Sequence, residues 1–138
     1  MLYAVIDTNV LVSSFLSRHS DSATVRVVQA VVEGRITPLY NDEIIAEYRE
    51  VLARDYIKSR AEHAEELIDL IEDQGLSLDP KCWTESMPDE SDRVFFEVAL
   101  SAQDAEAKLV TGNTKHFPQV NFVITPSQML SLLASSFE

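Results

Sequence analysis

Met1-Leu2-Tyr3-Ala4-Val5-Ile6-Asp7-Thr8-Asn9-Val10 decides the reading of this chain. Leu2–Ile6 is a short apolar run that stops at an acid, which reads as a buried strand with Asp7 at its carboxyl end. An unpaired carboxylate there is costly unless it is hydrogen-bonded, protonated or bound to a cation. Read alone, Asp7 is equally well explained as a cap on the helix that follows. Outward from this strand, helices and apolar runs alternate. The pattern predicts a helix over Asp21–Glu33 stopped by Gly34 and a strand over Ile36–Tyr40. A helix from the caps Asn41-Asp42 to Ala53 follows, then one over Ser59–Asp73 ahead of Gly75. Another is expected over Asp89–Gln103, and short strands at Lys108–Thr111 and Phe122–Thr125. A last helix opens on Thr125-Pro126-Ser127-Gln128, where an N-cap, a first-position proline and a capping-box glutamine coincide. Short apolar strands separated by helices imply an α/β fold, a three-layer α/β/α sandwich on a central parallel sheet. Ligands in such sheets gather beyond the carboxyl ends of the strands.

Composition narrows the function classes. The 138 residues are 46% hydrophobic and 25% charged, with three glycines and five prolines, which suits one globular domain spanning 1–138. No apolar run approaches the roughly 18 residues of a membrane span. The N-terminus has no basic stretch before its acid and does not read as a signal peptide. A lone cysteine, Cys82, fits a reducing, cytoplasmic setting. The net charge of −12 is spread along the chain. Such a field repels polyanions in general, which argues against broad nucleic-acid coating and leaves open a local basic site or a basic partner, while clustered acids would attract divalent cations.

Three further stretches carry candidate chemistry. In Glu43-Ile44-Ile45-Ala46-Glu47-Tyr48-Arg49-Glu50-Val51-Leu52, helical spacing puts Ile44, Ile45, Tyr48, Val51 and Leu52 on one face. Glu47 falls at its edge, while Glu43 and Glu50 turn outward; by position alone Glu47 is an ordinary flanking acid. Asp89-Glu90-Ser91-Asp92 precedes an apolar helix, where the helix dipole accounts for acids without further function. Leu109-Val110-Thr111-Gly112-Asn113 is a strand ending in a polar turn, with Gly112 allowing close approach or an unusual dihedral. Lys115 and His116 follow. His19, His63, His116 and Cys82 show no zinc spacing. Trp83, Tyr56 and the phenylalanines read as core, not as base-stacking residues.

Together these stretches resemble the PIN-domain family, in particular the PIN proteins that act as toxins of bacterial and archaeal toxin–antitoxin pairs. The resemblance rests on Asp7-Thr8-Asn9-Val10, on Glu43-Ile44-Ile45-Ala46-Glu47 with Val51-Leu52, on Asp89-Glu90-Ser91-Asp92-Arg93, and on Val110-Thr111-Gly112-Asn113 with His116-Phe117. It implies a doubly wound parallel sheet and a metal-dependent ribonuclease using Mg²⁺ or Mn²⁺. It also implies a cognate antitoxin and a homodimer. By it, Asp7, Glu47 and Asp92 fall on catalytic metal-site acids, with Asn113 as an auxiliary ligand where the family often has an acid. An amide oxygen can ligate but brings no charge. Asn9 and Thr111 would hydrogen-bond the ligands. Arg49, Arg54, Lys58 and Arg60, with Lys115 and His116, are candidate RNA phosphate contacts; solvated surface charge explains each as well. Two other readings stand beside this one. In one, the chain is a catalytically weak or inactive PIN-fold binding module. In the other it is a phosphohydrolase with Asp7 as nucleophile, although such enzymes carry a second acid where this chain has Asn9.

Overall fold

The computed structural model describes residues 1–135. It contains a five-stranded, all-parallel sheet between helical layers, the α/β/α architecture expected from the strand–helix alternation. Strand β1 (Leu2–Ile6) is central, and helix α1 (Thr8–Leu16) starts directly beyond it. Helix α2 (Ala23–Val32), strand β2 (Ile36–Tyr40), helix α3 (Asp42–Leu52), the single turn α4 (Asp55–Lys58) and helix α5 (Ala64–Gln74) follow. Then come β3 (Leu76–Ser77), α6 (Arg93–Leu100), β4 (Lys108–Val110), β5 (Val123–Ile124) and α7 (Pro126–Ser135).

The strand order is β3-β2-β1-β4-β5. The chain winds outward from β1 to β2 and β3, then returns to place β4 on the other side of β1. The winding direction therefore reverses between β1 and β4, and a crevice opens beyond their carboxyl ends. Register across this junction pairs Ile6 with Val110, and the Asp7 amide donates to the Val110 carbonyl at 2.9 Å. Ala4, Val5, Ile6, Leu109 and Val110 are buried. Such full burial is what a sheet covered on both faces requires of its central strands.

Several boundaries depart from the expected ones for local reasons. No pattern in the sequence delimits helix α1, because its polar residues interrupt the apolar spacing. Helix α2 starts two residues late, with Ser22 at the cap position, and stops at Val32, just ahead of Gly34, whose φ of 78° suits a residue without Cβ. The helix expected over Ser59–Asp73 begins only at Ala64, as α5; α4 forms a separate turn ahead of it, and Ala61 is buried in the break between them. Strand β3 lies outside the expected elements. It forms where Gly75 crosses β2 so closely that a Cβ would lie 2.3 Å from the Pro38 carbonyl oxygen. The Asp89–Gln103 helix resolves into a 3-10 turn over Glu90–Asp92, helix α6, and a second 3-10 turn over Gln103–Ala105. The capping box of α7 forms as expected: the Thr125 amide donates to Gln128 Oε1 at 2.8 Å, and the Gln128 amide to Thr125 Oγ1 at 3.1 Å.

Candidate metal centre

Beyond the β1–β4 junction lies an open cleft of about 310 Å³, lined by Asp7, Thr8, Asn9, Glu47, Tyr56, Asp89, Asp92 and His116 with Val12 and Val51. Each acid arrives by a different route. Asp7 is carried by the rigid end of β1. It stands at the cap position of α1 yet makes no side-chain cap bond, so the capping explanation for this acid is not realised. The residue is 5% exposed, and its carboxylate instead accepts from Thr111 Oγ1 at 2.7 Å.

Glu47 is positioned by α3. Asn41 caps that helix, its Oδ1 accepting from the Ile44 amide at 3.0 Å. The helical face buries Ile44, Ile45, Tyr48 and Leu52, as the spacing predicts. Tyr48 fixes the helix to the strand end, its hydroxyl donating to the Ile6 carbonyl at 2.5 Å. Burial, then the charges of Asp7 and Glu47, push that phenol upward, so it remains a neutral donor. Glu47 itself accepts a short hydrogen bond from Thr8 Oγ1. Thr8 is buried and ties the α3 acid to the start of α1. Nothing in the sequence beyond its place next to Asp7 singles it out.

Asp92 closes the 3-10 turn before α6. Asp89 caps that turn, its carboxylate accepting from the Ser91 amide at 3.0 Å and from the Ser91 hydroxyl at 2.8 Å. Asp92 makes no such cap bond and faces the cleft. The Nδ1 of His116 lies 3.6 Å from Asp92 Oδ2. Ligand atoms of Asp89, Asp92 and His116 all lie within 4.8 Å of one another.

The electrostatics reflect this crowding. Burial, opposed by the Thr111 hydrogen bond and reinforced by Asp92 and Glu47, pushes Asp7 up to about 6. Burial and the neighbouring Asp89 push Asp92 up to about 6 as well, with His116 opposing and Glu47 adding. No lysine or arginine is among the residues lining the cleft.

Thr111 is a hydrogen-bonding hub behind Asp7. Fully buried, it donates to Asp7 and accepts from the Asn113 amide at 3.0 Å and from Asn9 Nδ2 at 3.4 Å. Asn9 Oδ1 accepts from the Gly112 amide at 3.1 Å. Gly112 has no positive φ, and a Cβ there would meet Asn9 only at ordinary contact distance, so neither reason offered for a glycine applies. Asn113 does not line the cleft; its side-chain nitrogen lies 2.9 Å from His116 Nε2. Its visible role is to hold His116. Thr111→Val should remove the bond that favours ionised Asp7. The pKa of Asp7 then rises further, and the acid limb of Mn²⁺ binding moves to higher pH. The loss of a buried hydrogen bond costs about 1–3 kcal/mol. Calorimetric titration across pH reads this, and an unshifted limb would detach Thr111 from Asp7.

Of the candidate phosphate contacts only His116 lines the cleft. Arg49 is held by Glu65 at 3.1 Å, Glu72 at 3.1 Å and Asp69 at 3.5 Å. Arg54 is held by Glu50 at 2.8 Å. Arg49 and Lys58 line a different groove, and Lys115 is exposed outside the cleft. Tyr56, read as core, is 63% exposed at the cleft, because the buried position on α4 is taken by Ile57.

The family model of the PIN domain matches residues 3–115, a span that includes Asp7, Glu47, Asp92 and Asn113. The chain belongs to the PIN-domain family. Comparison with curated proteins and with solved structures gives no significant match. PIN domains are generally nucleases that use divalent metals, and this PIN domain brings a cluster of acids to the switch point of its sheet. Among the described residues, no helix of the PIN fold is long and apolar enough to cross a membrane.

Proposed function

We propose that this protein is a ribonuclease that hydrolyses RNA phosphodiester bonds with Mg²⁺ or Mn²⁺, and that it acts as the toxin of a toxin–antitoxin pair. One observation carries the nuclease reading: Asp7, Glu47 and Asp92 line a single cleft that no lysine or arginine lines, and two of them are driven up to about 6. Such a donor set, all oxygen and mutually repelling, fits a hard divalent cation. Asp7, Glu47 and Asp92 would hold it, with His116 and Asp89 at the rim. When bound, the cation supplies an activated water and charge stabilisation at the phosphate. The chain's own residues set the geometry. Thr111 and Thr8 orient the Asp7 and Glu47 carboxylates, and Asn113 holds the His116 ring beside Asp92. Protonation of Asp7 and Asp92 below about pH 6 competes with the metal.

The antitoxin and the homodimer belong to this reading through the family resemblance, and the cytoplasmic setting through the lone Cys82. The binding-module reading has one observation in its favour, the Asn113 amide turned onto His116 instead of into the cleft. An RNA cleavage assay with Mg²⁺, with Mn²⁺ and with chelator separates the two. Metal-dependent cleavage supports the nuclease. Absent cleavage at millimolar metal supports the module.

A further inference from the structure

Tyr56 is the exposed aromatic of the cleft. Its neighbour Ile57 is fully buried and pins α4 to the core, so Tyr56 is presented outward from an anchored turn. With 63% of its surface open to solvent, it is the one exposed aromatic among the described residues. It also lines the same cleft as Asp7, Glu47 and Asp92. Its phenol lies beside the Arg54 guanidinium, which Glu50 also holds. Leaving a tyrosine ring in water within an acidic cleft forgoes its burial and its packing. No lysine or arginine lines the cleft, and three arginines are engaged by acids: Arg49 by three, Arg54 by Glu50 and Arg93 by Glu90. With a net charge of −12 as well, phosphate attraction gives a nucleic acid little reason to settle here. A flat aromatic face attracts bases through stacking, which does not depend on counterion release.

We infer that Tyr56 is a nucleobase platform that selects single-stranded RNA for the acidic cleft. The inference rests on the ribonuclease reading for its substrate. A paired base has both faces covered within the duplex and cannot stack on Tyr56 without being splayed out, so the platform discriminates strands by their pairing. Binding should therefore depend on salt only weakly for a nucleic-acid-binding protein.

The test compares wild type, Tyr56→Ala and Tyr56→Phe in Ca²⁺, by fluorescence anisotropy with a labelled uridine 10-mer and a blunt RNA duplex of the same length. Loss of one base–aromatic stack is worth about tenfold in affinity. Tyr56→Ala should weaken 10-mer binding by about that factor, Tyr56→Phe should retain it, and weak duplex binding should be the same in all three. The exposed position leaves folding intact. Equal 10-mer binding by wild type and Tyr56→Ala overturns the platform. So does a wild type that binds no 10-mer, or a duplex that loses as much as the single strand. Cleavage in Mn²⁺, run in parallel, separates this failure from that of the nuclease reading. Cleavage with an unchanged KM in Tyr56→Ala keeps the nuclease and removes the platform. Tyr56-dependent binding without cleavage does the reverse.

Discussion

Asp7→Asn is expected to abolish divalent-dependent cleavage while making the metal-free protein more stable at neutral pH. The first effect follows from removing a charged ligand at the centre of the site. Several kcal/mol of transition-state stabilisation correspond to a loss on the order of 10³-fold in rate. The second follows from the raised pKa. Asp7 titrates near 3.8 in the unfolded chain and near 6 when folded, so the folded state holds its proton more tightly. Its contribution to stability is complete below about pH 4 and is lost as pH rises through about 6. Above that, an ionised Asp7 costs the fold roughly 3 kcal/mol, since each tenfold tightening of the proton is worth about 1.4 kcal/mol. Asparagine avoids the cost and can still accept from Thr111. Melting curves of both proteins from pH 4 to 8 should coincide at the acid end and separate toward neutrality, with the mutant higher. A mutant that melts lower at pH 7, or cleaves at the wild-type rate, removes Asp7 from the proposed role.

The second large effect is metal stabilisation. Mg²⁺ or Mn²⁺ at 100 times its dissociation constant should stabilise the fold by about 2.7 kcal/mol. In a domain of this size that is several degrees of melting temperature. The gain should shrink as pH falls through about 6, where Asp7 and Asp92 take up protons. Differential scanning calorimetry with and without metal at pH 5 and pH 7.5 tests both parts. A gain as large at pH 5 as at pH 7.5 would place the cation away from these two carboxylates.

Much of the sheet was legible because burial on both faces leaves a simple trace in sequence: Leu2–Ile6 and Ile36–Tyr40 are near-continuous apolar runs, and both strands form at those residues. Helix α3 was legible through its spacing and its Asn41 cap. Strand β3 was not, because two exposed residues paired by the close passage of Gly75 leave no periodic signal. Helix α1 was obscured by Thr8 and Asn9, polar residues that serve the cleft instead of the helical pattern. Asp7, Glu47 and Asp92 line one cleft, a grouping that only the resemblance suggested, since periodicity alone left Glu47 and Asp92 as ordinary surface acids; the tightest group of ligand atoms there is instead Asp89, Asp92 and His116. Thr8 and Tyr56 were beyond reach for another reason. Their roles depend on how α1 and α4 sit against α3, a relation between distant segments that no local pattern encodes.

The two halves of the cleft are built from materials of unequal stiffness. Asp7 and Thr111 stand at the ends of paired central strands, whereas Asp92 and His116 sit on the 3-10 turns Glu90–Asp92 and Thr114–His116. Short turns with exposed backbone open at a small fraction of the free energy that separates core strands. Amide protons in those turns should thus exchange with solvent long before those of β1 and β4. A cation bridging the two halves would slow exchange in the turns first, so the fold itself supplies a gauge of occupancy that needs no turnover.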